Sequence, residues 1–138
     1  MPKIEDIYPL SPMQHGLLFH WLLSPMAGQY VPQIVLTLSG YAENDGLKHS
    51  LAAAIQRHTV LRTGFQWEQR DEPFQVVYCD AQLPWTDLDW SDFNEAEQQT
   101  KLKNLLEANR TEPFNLHRPP LMRFQWIRRA DQSHYLVL

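Results

Sequence analysis

Six histidines, at positions 15, 20, 49, 58, 117 and 134, are the side chains best suited to proton transfer or metal ligation near neutral pH. Their spacing argues against both roles. None is adjacent to another, and none has Asp or Glu four residues downstream. His15 and His20 stand about 140° apart around a helix axis, too far to share an ion. Cys79 is alone, so neither an internal disulfide nor a cysteine metal cluster is available. No G-x-S-x-G elbow, phosphate-binding loop or dinucleotide fingerprint occurs. The chain therefore carries no self-sufficient catalytic constellation, and no metal site is expected.

One charge has a chemical option. Arg62 lies in the run RHTVLRTGF (Arg57–Phe65), where an amphipathic helix becomes a strand. A cation in the last turn of a helix is favoured by the macrodipole. Alternatively, a buried guanidinium orients a carboxylate elsewhere in the fold. Spacing alone leaves both readings open. His58, in the same run, falls on the apolar side of the helix and reads as a satisfied core histidine.

The elements that position these residues begin with YPLSPMQHGLLFH (Tyr8–His20). Ser11 can cap a helix, Gln14 can reach back to complete a capping box, and Pro12 fits the first helical position. The helix runs from about Pro12 to Leu23 and stops at Ser24-Pro25. Leu17, Leu18, Phe19, Trp21, Leu22 and Leu23 leave it almost no polar face. Either it is packed on all sides, or part of it is exposed as a partner surface. Phe19 and Leu23, at i and i+4, would share such a face. Gly16 permits close helix packing.

Gln29–Ser39 reads as a strand, with Ile34, Leu36 and Leu38 alternating against Val35 and Thr37 and Pro32 marking its start or an edge. Asn44 or Asp45 can cap a second helix reaching about Leu61, with Leu47, Leu51, Ala54, Ile55, His58 and Leu61 at helical spacing. Phe65 and Trp67, a charged turn over Gln69–Glu72, and Phe74–Tyr78 form a hairpin pattern. Asn94 with Glu97 opens a third helix, whose narrow stripe of Leu102, Leu105 and Leu106 places it on the surface. Pro113–Pro120 is an extended connection, Leu121–Arg128 a strand with one buried face, Arg129–Ser133 a polar turn and His134–Leu138 a last strand. The sequence stops within that strand, which would offer an unfinished apolar edge, so a piece of a larger domain is expected. The fold class is α+β, an α/β sandwich with helices packed on a mixed sheet.

Composition bounds the function. With 138 residues, 43% hydrophobic and 20% charged, the chain can bury one core. A net charge of -4 with scattered Lys and Arg gives no footprint for nucleic acid. The apolar run from Leu17 to Leu23 is far below the roughly 18–20 residues that span a bilayer, so no membrane partner is expected. No apolar segment follows Met1-Pro2-Lys3 as a secretory signal would require, and the lone cysteine fits a reducing, cytoplasmic setting.

YPLSPMQHGLLFH and RHTVLRTGF, in this order and separation and followed by EPFNLHRPPLMR, resemble the opening motifs of condensation domains from nonribosomal peptide synthetases. Asn115 stands where the family usually has Asp. The resemblance spans essentially the whole chain but only the front of such a domain. It implies the N-terminal lobe of a chloramphenicol-acetyltransferase-like fold, incomplete, over residues 1–138, and a C-terminal lobe as a partner.

The family's H-H-x-x-x-D-G signature is expected just beyond Leu138, so the resemblance implies an enzyme for the parent domain and an inert chain by itself. The implied reaction joins a donor acyl or peptidyl thioester to the α-amine of an acceptor aminoacyl thioester. Both arrive on phosphopantetheine arms of donor and acceptor carrier domains, and no cofactor is bound directly. The resemblance further implies that Arg62 supports the absent motif by holding its Asp. It makes Phe19 and Leu23 candidates to meet the acceptor carrier, Phe19 first. Ser11 and Gln14 keep their capping role.

Three alternatives compete. An epimerisation domain shares the fold but opens with P-I-Q-x-W-F, against Pro12-Met13-Gln14-His15-Gly16-Leu17 here. A heterocyclising relative would carry an aspartate-rich signature in place of the His-His one. A non-catalytic carrier-binding or recruitment module would keep the lobe without the chemistry.

Overall fold

The computed structural model describes residues 2–25, 27–40, 44–69 and 71–138. In chain order these form β1 (Ile4–Pro9), α1 (Pro12–Leu23), β2 (Val35–Leu38), α2 (Asn44–Arg57), a 3-10 turn (Thr59–Arg62), β3 (Thr63–Gln66), β4 (Phe74–Tyr78), β5 (Trp85–Asp89), α3 (Glu95–Thr111), β6 (Phe124–Arg128) and β7 (His134–Val137). β1, β4 and β3 make an antiparallel sheet in that order. β2, β7, β6 and β5 make a mixed one, antiparallel except for the β5–β6 pair. The α+β class is as the sequence indicates.

The mixed sheet has a core on each face. Ile127, with no exposed surface, meets Trp90, Tyr135 and Val137, backed by Leu102, Leu105 and Leu106 of α3. Phe124, Trp126 and Leu136 point the other way, toward Leu47 and Leu51 of α2. Burying a side chain of the size of Ile127 is worth about 2 kcal/mol, which makes this face a main source of stability. Two expectations are corrected here. β6 is buried on both faces, because Gln125, the polar residue that suggested a solvent side, pairs its amide with Asn109 at 2.7 and 3.0 Å. β7 presents no unfinished edge, because β2 and β6 flank it on either side.

Other boundaries moved for local reasons. α2 ends at Arg57, and its pattern continues into the 3-10 turn after His58 adopts an extended backbone. His58 is consequently exposed and is not a core residue. Asn44 and Asp45 lie inside α2 and do not cap it. Instead the Asn44 amide donates to Asp87 at 2.7 Å, beside Lys48 at 2.9 Å and the Trp85 indole at 3.0 Å. Burial opposes the charge of Asp87, yet the hydrogen bonds from Trp85, Lys48 and Asn44 outweigh it and hold its carboxyl below the usual range. β2 is shorter than the expected strand, although Ile34 and Leu138 still exchange backbone hydrogen bonds of 2.7 and 2.9 Å beyond it. The charged turn between β3 and β4 includes Arg70, which lies outside the described residues.

Candidate functional site

The capping box of α1 forms as its sequence dictates. Ser11 Oγ accepts from the Gln14 N–H at 3.2 Å, and the Ser11 N–H donates to Gln14 Oε1 at 2.8 Å. Gln14 also meets the Gln75 side chain of β4 at 3.2 Å, which ties the start of the helix to the antiparallel sheet. Only Leu18 of α1 is buried. Phe19 is 60% and Leu23 65% exposed, so the helix has an open apolar face and the fully packed reading is set aside.

The inner side of α1 borders a hollow of about 400 Å³. Leu17, Leu18 and Trp21 form one wall, and Phe65 of β3 closes the sheet side. Val137 and Leu138 bring the end of β7 to it, and Leu121 and Met122 also line it. The hollow therefore opens between the two sheets. Part of its polar lining is engaged: Gln33 Nε2 donates to Leu106 C=O at 2.9 Å, Asn109 pairs with Gln125, and Gln14 serves the cap, while Gln33 Oε1 is buried without a partner among the described residues. Arg123 is likewise occupied. It holds the Asn109 carbonyl in the last turn of α3 and that of the C-cap Glu112 at 3.3 and 3.1 Å, and it stacks on Phe114 at 4.1 Å. Such a hollow can seat an apolar group, and among its described lining residues Tyr30 and Arg123 are the titratable ones, with no His, Cys, Asp, Glu or Lys.

Arg62 is 5% exposed and does not line the hollow. Its Nη1 donates to Glu5 Oε2 at 2.6 Å and to Tyr78 C=O, and its Nε to Gln56 C=O at 3.2 Å. Both readings of Arg62 thus describe part of its geometry: it closes the carbonyl end of α2, and it holds a carboxylate from a distant element.

Sequence reasoning missed His117. Its ring stacks on Trp67 at 4.1 Å, and its Nδ1 lies 2.8 Å from Phe65 C=O and 3.1 Å from Gln66 Oε1. The only local signal was its place before Pro119-Pro120 in a connection that must pass the sheet edge. His134 stacks on Trp126 at 4.5 Å, with burial and then Arg128 lowering its pKa from 6.5. Among the described residues no group of three His, Cys, Asp or Glu side chains is placed to hold a metal, and no helix is long and apolar enough to cross a membrane.

Comparison with known proteins supplies the family. The family model described as "Condensation domain" matches residues 4–138. A component of the linear gramicidin synthase of Brevibacillus parabrevis is 38% identical over 91% of the chain, and bacitracin synthase 1 of Bacillus licheniformis 35% identical over 98%. The chain spans only 2% and 3% of the length of these relatives. Among solved structures, the starter condensation domain of the rhizomide synthetase superposes with a TM-score of 0.79 at 21% identity, over 96% of this chain and 33% of that one. The first condensation domain of the calcium-dependent antibiotic synthetase, in complex with a substrate analogue, gives 0.80 at 16% identity, over 98% and 34%. These likenesses show the fold over about a third of such a domain, and with the family match they place the chain: it belongs to the condensation-domain family of nonribosomal peptide synthetases.

Proposed function

We propose that residues 1–138 are the N-terminal lobe portion of a condensation domain that forms an amide between two carrier-bound thioesters. The acceptor's α-amine attacks the donor's carbonyl carbon. The N–C bond forms as the C–S bond breaks, and the amine proton is lost as the donor's phosphopantetheine thiol is released. The H-H-x-x-x-D-G histidine that assists the amine belongs beyond Leu138, and the chain alone is inert. This chain's contribution is positioning, which can supply much of the rate when both reactants are tethered. The C-terminal lobe completes the substrate passage.

The observation that carries this reading is the hollow, which joins the motif-bearing helix α1 to the end of β7, where that motif would follow. It seats an apolar part of a substrate. Phe19, and less strongly Leu23, face the acceptor carrier domain from the outer side of α1. Arg62 supports the catalytic loop without touching substrate: no described residue accepts from its Nη2, which leaves a donor for a further carboxylate.

The test supplies a domain extending past Leu138 with one loaded donor carrier and one loaded acceptor carrier and follows the acceptor-bound product by mass spectrometry. A mass gain equal to the donor acyl group supports the reading. Carrier capture without that gain would mark a recruitment module instead.

A further inference from the structure

The segment between α3 and β6 has no regular structure, yet it supplies one side of the hollow through Phe114, Leu116, Leu121 and Met122. Its attachment to the antiparallel sheet is concentrated at one place. The Phe65 N–H of the edge strand β3 donates to Leu116 C=O at 2.7 Å. The Phe65 C=O is met not by main chain but by the ring of His117, at 2.8 Å. The chain cannot supply that second rung itself, because it turns away at once: the Arg118 N–H donates back to Asn115 C=O at 3.0 Å, and Pro119 and Pro120 have no N–H to give.

The ring is fixed in this role. Both partners of Nδ1, Phe65 C=O and Gln66 Oε1, accept only, so Nδ1 carries the proton and donates. Gln66 keeps its oxygen toward the ring because its Nε2 donates to the Tyr78 hydroxyl at 3.4 Å. Trp67 covers one face of the imidazole and itself meets Trp21 of α1 at 5.9 Å. Gly64 lets the segment approach: a Cβ there would lie 2.8 Å from His117 C=O. Of these three rings only Trp21 lines the hollow; Trp67 and His117 stand behind it, next in the chain to β3 and to Leu116, and Phe65 of β3 and Leu116 do line it.

We propose that His117 is a positioning residue: its Nδ1–H stands in for the missing backbone rung of β3 and so sets how far apart the walls of the hollow stand, and with that the size of apolar group admitted. This rests on the proposed function only in calling that group part of a substrate.

The chain itself tests the proposal. In a ¹⁵N spectrum of the imidazoles, the His117 signal, assigned by its loss in H117F, should show a protonated Nδ1; an unprotonated Nδ1 overturns the proposal even if no variant folds. Nile red, an apolar dye, reports the hollow. H117F keeps a ring on Trp67 but removes the donor, whereas H117N keeps a donor near the Nδ1 position and removes the ring. H117F should weaken Nile red binding about tenfold, the scale of one lost hydrogen bond, with H117N within about twofold of the unaltered chain. Equal losses in both variants, or no loss in H117F, contradict it. Neither readout involves amide formation, so failure here and failure of the proposed reaction are told apart.

Discussion

Arg62 and Glu5 are joined by an ion pair of 2.6 Å that fastens β1 to the turn preceding β3. The partnership is unequal. The guanidinium is buried, whereas 43% of the Glu5 side-chain surface is exposed. Removing Glu5 leaves Arg62 two carbonyl acceptors, while removing Arg62 empties a buried site and frees both carbonyls.

Arg62→Ala should therefore destabilise the chain by about 2–3 kcal/mol, and Glu5→Ala, after solvent screening, by about 1 kcal/mol or less. Urea unfolding of both variants gives the comparison. In a longer domain, Arg62→Ala should lower amide formation while leaving carrier affinity unchanged; a selective loss of affinity would contradict its supporting role.

His134 makes stability depend on pH. Its Nδ1 is buried with no partner among the described residues. Burial, and then Arg128, lower its pKa from 6.5, with Asp131 opposing. The unfolded chain then binds the proton more readily than the folded one. The contribution of neutral His134 is complete above 6.5 and is lost as pH falls through the lower folded value. His134→Phe, which keeps a ring on Trp126, should flatten the fall in melting temperature from about pH 7 to about pH 5. An unchanged slope would assign it to other groups.

What could be read from the sequence was local. The cap of α1 needs only Ser11, Pro12 and Gln14, so it was legible and it forms. β1 was not, because all six of its residues are exposed and no alternation marks it. Gln125 misled and His117 was missed for a different reason: their partners, Asn109 of α3 and Phe65 of β3, become neighbours only once the chain folds. His58 was misplaced because helical periodicity ran on through a 3-10 turn of similar spacing. The motifs around Ser11, Arg62 and Asn115 identified the family, but they gave no sign of the hollow, which is a property of how two sheets meet.

The outer face of α1 gives the docking prediction. Phe19→Ala should leave the chain's stability within about 0.5 kcal/mol, as expected for an exposed side chain. In a longer domain the same change should weaken binding of the acceptor carrier, with a smaller effect for Leu23→Ala. Titration of labelled carrier measures both, and equal affinity for all three proteins would remove the docking role.

Gly64→Ala tests the close approach of the segment after α3. The new methyl group would meet main-chain atoms of His117 at 2.8 and 3.0 Å, with no flexible side chain to yield. A loss of about 1–3 kcal/mol is expected in urea unfolding. A neutral result would mean that the segment can move away without cost.

The most direct measurement sets the 138-residue chain beside a version extended through the segment following Leu138, each given the same loaded donor and acceptor carriers. Product on the acceptor arm is then followed by mass. The account predicts amide formation by the extended protein and none by the shorter chain. Turnover by the 138 residues alone would contradict it.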